Sequence, residues 1–231
     1  MILRRLAEAI TRQDWFVVFL ELLIVVFGVY IGIYLGDIQA ARQQMIETNM
    51  ALEALESEMR SDLVRLDEVI AIQTNRVREQ QELIELWSDE TSDHAEVAPR
   101  LELVFRDNST FFPNRSGYRA MQEGGYLAAL PDETLRLTLA RLFEREYNRQ
   151  DQNAEFYDEL GFDFSLFVLP THWDRVSNRP LGNRTDSLAA LRSGMITVRD
   201  QGQFYFEFIT ERVRPDIVAT LEMIDAYQEA H

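Results

Sequence analysis

The chain has 231 residues, a formal charge of -16, 23 arginines without one lysine, and no cysteine. Without cysteine there is no disulfide framework, no cysteine-ligated zinc or iron–sulfur cluster and no thiol nucleophile; without lysine there is no P-loop phosphate anchor and no Schiff base. A chain this acidic is repelled by the phosphate backbone that supplies most nucleic-acid affinity, so nucleic acid is not an expected partner.

Residues 1–14 carry Arg4, Arg5 and Arg12 against Glu8 and Asp14, and read as a short cytoplasmic segment. The stretch Trp15 to Leu35, WFVVFLELLIVVFGVYIGIYL, holds Glu21 as its one acidic or basic side chain. At about 1.5 Å rise per residue it is long enough for a bilayer hydrocarbon core, so residues 15–36 are expected to form a transmembrane helix. A secretory signal peptide is the alternative, but the run is long, contains Glu21 and lacks a clean small-x-small cleavage site. The arginines ahead of it and the acidic chain behind it place the N-terminus in the cytoplasm and residues 37–231 outside. That outward part reads as one domain.

Gly28, Gly32 and Gly36 recur every fourth residue, a small-xxx-small pattern that lets helix backbones approach closely in lipid. Glu21 lies 7 and 11 residues before the first two, at nearly the same helical angle. A carboxylate in the bilayer is costly unless protonated, snorkelled or paired. Glu21, Gly28, Gly32 and Gly36 therefore form the expected interface with a partner helix.

From Ile38 to Trp87 the chain lacks Gly and Pro and is dense in Ala, Glu, Gln, Arg and Leu, which predicts a stalk helix over 38–88. Met45, Leu52, Met59, Leu63, Leu66, Ile70, Val77 and Ile84 form its apolar stripe, interrupted by Gln73 and Gln80. The stripe is expected to pack on later helices of the same chain, with a coiled coil between copies as the alternative.

Short helices follow around Pro99 to Arg106 and Ser116 to Gln122, the second stopped by Gly124-Gly125. Pro131-Asp132-Glu133 starts a longer helix that Gly161 is expected to close. The aromatic stretch FDFSLFVLPTHW is then a core plug, a short strand or a contact surface, with the core preferred. After a loop at Asn178 to Arg184, helical spacing resumes over Gln203 to Gln228, kinked or split at Pro215, and a short hairpin is a further option near Met195 to Phe208. The fold class is mainly α: one N-terminal transmembrane helix, a stalk and an all-α helical bundle.

Two stretches, ELLIVVFGVYIGIYLGD and SGYRAMQEGGYLAALPDETLRLTLARLFEREY, together resemble a widespread bacterial family of uncharacterised single-pass membrane proteins. The matching positions are Glu21, Gly28, Tyr118, Gly125, Leu127, Leu135, Arg136, Leu139 and Tyr147. Where members carry an Asn-Asn-Trp-like boundary after the membrane helix, this chain has Leu35-Gly36-Asp37-Ile38. The resemblance implies the topology and supplies no catalytic residue.

Chemistry is sparse. His94 lies in a polar stretch, His172 in an aromatic one and His231 at the end, with no HExxH spacing. His172-Trp173-Asp174 is the one compact acid–base candidate, with structural hydrogen bonding the preferred role. Asp158, Glu159 and Asp163 are carboxylates in a chain full of them. Asn108, Asn114 and Asn183 begin N-x-S/T sequons that a bacterial chain leaves bare. No catalytic, cofactor-binding or metal-ligating residue is assigned, and no cofactor is expected. The expected partners are the lipid bilayer and other membrane-protein subunits or a second copy, with a basic soluble protein suiting the acidic domain. Together these features read as a non-catalytic accessory or scaffolding subunit, the alternative being an outward ligand-binding or stress-sensing module that acts through a membrane partner.

Overall fold

The computed structural model describes residues 15–91, 94–105 and 110–230; the side chains of residues 15–18 and 21 lie outside that description. The chain divides into two compact units, residues 1–49 and 50–231. It is mainly α-helical. Helix α1, Trp15–Ser88, contributes to both units; then come α2, Val97–Phe105, α3, Ser116–Glu123, and α4, Tyr126–Ala129. Helices α5, Glu133–Ala140, α6, Tyr147–Asp163, and α7, Leu169–His172, follow end to end, joined by π-helical turns at Arg141–Glu146 and Phe164–Val168. A two-residue hairpin, β1 Trp173–Asp174 with β2 Arg179–Pro180, precedes α8, Arg184–Phe208, which passes through a π turn at Ile209–Val213 into α9, Arg214–Ala230.

In the second unit Glu79 and Ile84 of α1 are buried beside a seam formed by Leu52, Leu55, Met59, Asp62, Leu66, Val69, Gln73, Arg76, Gln80, Leu83 and Trp87. Their spacing alternates three and four, the register in which helices pack nearly parallel with knobs in holes. The chain's own later helices occupy this seam. Gln80 meets Tyr157 and Trp87 meets Phe164, so α1 runs parallel to α6. Arg60 pairs with Asp225, Arg214 with Asp67, and Arg199 with Gln81, so α8 and α9 return antiparallel to both. Leu63, Ile70 and Val77, expected on the seam, sit at its half-buried margin, and Gln73 and Gln80 lie within it rather than breaking it.

Two local expectations are corrected, at Gly161 and near Met195, and the aromatic stretch between them takes its place in the core. Gly161 does not close its helix: its φ is not positive, and the rod continues because Phe164 and Leu169 are buried beyond it, Phe164 against Trp87 and Phe105. The aromatic stretch is accordingly helical as far as His172; Phe164, Leu169 and the β1 residue Trp173 lie inside, as the core reading expects, and Phe162, Leu166 and Phe167 are exposed. No hairpin forms near Met195 to Phe208; those residues lie inside α8, where Met195, Val198, Gly202 and Tyr205 share one buried face.

Pro215 neither splits nor ends the last helix. A proline ring collides with the carbonyl four residues back and offers no N–H. The π turn Ile209–Val213 contains that carbonyl, of Glu211, and Phe164–Val168 stands in the same relation to Pro170. Widening the turn ahead of each proline lets both rods continue.

Candidate functional site

Two places in the chain present chemistry that its own fold does not consume. The first is the N-terminal part of α1. Phe19, Leu20, Leu22 and the large apolar side chains from Ile24 to Leu35 are 45–67% exposed, on every side of the helix. The helix is long and apolar enough to cross a membrane by length and composition. Cβ atoms added at Gly28, Gly32 and Gly36 would meet nothing within 4 Å, so this face is bare backbone. Glu21 belongs to the helix by its backbone, but its side chain lies outside the described residues.

The second is a polar layer in the helical bundle, centred on Arg76. This arginine sits on the buried seam of α1 and is only 4% exposed. It hydrogen-bonds the Tyr157 phenol, which also accepts from Gln80 Nε2 at 3.1 Å. Burial pushes the Tyr157 hydroxyl above its ordinary range, so it stays a neutral phenol and supplies Arg76 with no counter-charge. Arg76 Nε and Nη2 are buried without a partner, as is Gln80 Oε1. Arg76 also borders a groove of about 370 Å³ whose other lining residues are Ile72, Asn75, Arg78, Glu79 and Leu103. Nothing in the amino-acid pattern singled out Arg76 among 23 arginines; its heptad position between Gln73 and Gln80 was the available signal.

The remaining candidates resolve into structural roles. Trp173 is buried, edge-on to Trp87 and His94. His172 Nδ1 lies 3.4 Å from Ser187 Oγ, while Asp174 accepts from the Val176 amide at 2.9 Å and from Ser177. His172 and Asp174 thus turn to different partners rather than to each other. His94 is buried rather than placed in a solvated loop, with φ 56° and Nδ1 3.1 Å from Arg184 Nη2. Asp158 accepts from Thr110 Oγ1 at 2.7 Å, and Glu159 and Asp163 are exposed. Asn114 and Asn183 accept from the backbone two and three residues on; Asn108 and His231 lie outside the described residues.

The motif residues around Tyr118 build the core. Tyr118 stacks on Phe143 at 4.5 Å and donates to Glu144 at 2.7 Å; Gly125, at φ 72°, turns α3 into α4. Asp132 caps α5 by accepting from the Leu135 amide, Arg136 donates to the Leu130 carbonyl, and Leu135, Leu139 and Tyr147 are fully buried. Residues 21–165, more than half of the chain, match the model of a family of unknown function (DUF6090). The chain belongs to that family. No curated protein and no solved structure matches it. The family span takes in the bare glycine face, the Tyr118 core and Arg76.

Proposed function

We propose that this member of the family is a non-catalytic accessory or scaffolding subunit of a bacterial inner-membrane assembly. Its N-terminal helix crosses the membrane with residues 1–14 in the cytoplasm and residues 37–231 in the periplasm, and the helical domain covers or docks an outward surface of the complex. One observation carries this reading: the large apolar side chains of α1 at Phe19, Leu20, Leu22 and from Ile24 to Leu35 are exposed on every side of the helix, whereas from Leu52 onward α1 buries one apolar face. A helix apolar on every side has a stable environment only in lipid or among other helices. On the same part of α1, Gly28, Gly32 and Gly36 leave one face free for close backbone approach, the geometry by which helices associate where no hydrophobic effect separates helix from lipid. Arg4, Arg5 and Arg12 ahead of the helix support the inside orientation.

The test is the mass and composition of the full-length protein extracted into nanodiscs, for the wild type and for Gly28→Leu and Gly32→Leu. A defined assembly that dissociates in both variants while membrane insertion is retained is expected. A monomer, or an assembly indifferent to both substitutions, overturns the glycine-face reading. Buried Arg76 favours the alternative, a periplasmic ligand-binding module working through a membrane partner.

A further inference from the structure

Three partly buried arginines of the bundle each have a carboxylate: Arg100 meets Glu79 at 2.5 Å, Arg115 meets Asp151 at 2.5 Å, and Arg199 meets Asp200 at 2.6 Å. Their side chains are 20–25% exposed. Arg76 is more deeply buried, at 4% exposure, yet no Asp or Glu of the described residues forms an ion pair with it. The nearby acids are already engaged, since Glu79 is held by Arg100 and by Arg78 at 3.3 Å, and Glu82 by Arg100.

The atoms left open on Arg76 are Nε and Nη2. These lie on one edge of the guanidinium, where two parallel N–H groups match the two oxygens of a carboxylate or of a phosphate. A buried guanidinium with that edge unsatisfied is unfavourable, and an anion supplies both the missing charge and the missing acceptors. The adjoining groove carries Ile72 and Leu103 as well as polar Asn75. Behind Arg76, a small space is lined by Val104, Phe105 and Tyr157. The surroundings of the fork are therefore partly apolar, and the charged residues on the groove, Arg78 and Glu79, are paired with each other, so the site suits an anionic head with a short apolar tail.

We propose that Arg76 is the anchor of a binding site for a small oxyanion, a carboxylate or phosphate group that enters from the groove beside α2 and takes the Nε–Nη2 edge in a bidentate fork. Gln80 completes the site: with its amide turned over, Oε1 accepts the Tyr157 proton and Nε2 becomes a third donor to the anion, an arrangement isosteric with the one observed. This site is independent of association through Gly28 and Gly32, so either can fail without the other.

The experiment uses the full-length protein in nanodiscs, titrated with sodium acetate, sodium butyrate or sodium phosphate against sodium chloride at constant ionic strength. Thermal midpoint and isothermal calorimetry are the readouts. A saturable rise in midpoint with at least one oxyanion, with one site per chain and no equal response to chloride, is expected. Arg76→Gln abolishes it, Arg76→Lys weakens binding at least tenfold because the charge remains without the fork, and Arg175→Gln, at an exposed arginine outside the groove, leaves it in place. Butyrate above acetate identifies a carboxylate with a tail as the ligand class; phosphate above both identifies a phosphoryl group. No oxyanion exceeding chloride overturns the site, as does an unchanged response in Arg76→Gln. If Arg76→Gln does not fold, Arg76→Lys and a groove-filling Leu103→Trp decide: wild-type binding in both overturns it.

Discussion

The carboxylate of Glu58 on α1 stands 3.0 Å from the amide nitrogen of Gly117 at the start of α3. The same carboxylate accepts from Ser116 Oγ at 2.6 Å, so one α1 side chain holds the first turn of α3. A Cβ at Gly117 would lie 3.2 Å from the Leu55 Cα, which explains glycine here: the two backbones nearly touch. Gly117→Ala is expected to destabilise the helical unit by about 1–3 kcal/mol through overpacking. Glu58→Ala is expected to cost about 1–2 kcal/mol through the unmet donors. Urea unfolding of each variant checks both, and a Gly117→Ala protein as stable as the wild type contradicts the close approach.

Two other glycines give opposite expectations. A Cβ at Gly202 would come within 2.9 Å of the Tyr157 ring, which is itself fixed against Tyr205 at 5.6 Å. Gly202→Ala should therefore lose about 1–3 kcal/mol. Gly161 is helical with nothing within 4 Å of an added Cβ, so Gly161→Ala should gain about 0.5–1 kcal/mol from helix propensity. Thermal denaturation of the pair reads the signs directly.

His94 makes stability depend on pH. Burial, then the Arg184 charge, hold its imidazole below the ordinary histidine value, against the Leu86 backbone and Asp89, which act the other way. A lowered folded pKa means that the unfolded chain takes the proton first. The contribution is complete above the unfolded value of about 6.5 and is lost as pH falls through the folded value. Stability should decline as pH falls below about 6.5 more steeply in the wild type than in His94→Asn, a substitution that keeps a residue tolerant of the left-handed backbone. Denaturant midpoints at stepped pH measure the difference; equal slopes contradict it.

The π turns before Pro170 and Pro215 predict a local change without unfolding. In Pro215→Ala the ring clash disappears and an N–H is restored, so Ile209–Val213 should relax toward ordinary α-helical hydrogen bonding. Hydrogen exchange of these amides should slow, while the buried positions Ile209 and Val213 limit how far the turn can rewind. Unchanged exchange would show that side-chain packing, not the proline, sets the π geometry.

The amino-acid pattern by itself determined the helix class, the uncovered apolar segment with its glycine face, the cap at Asp132 and the turn at Gly125. These rest on local properties: periodicity, the absence of Gly and Pro, and the φ that glycine permits. Gly161 misled because its local preference is overridden by the burial of Phe164, and at Pro215 a widened helical turn carries the helix on without a split. Tertiary structure alone decided which three-four register of α1 is buried, that Gln73, Arg76 and Gln80 belong to it, and that Gly117 and Gly202 are contact points. Whether a polar residue is buried without a counter-charge depends on what distant helices bring to it, and Arg76 meets Tyr157, 81 positions away, where no sequence window extends.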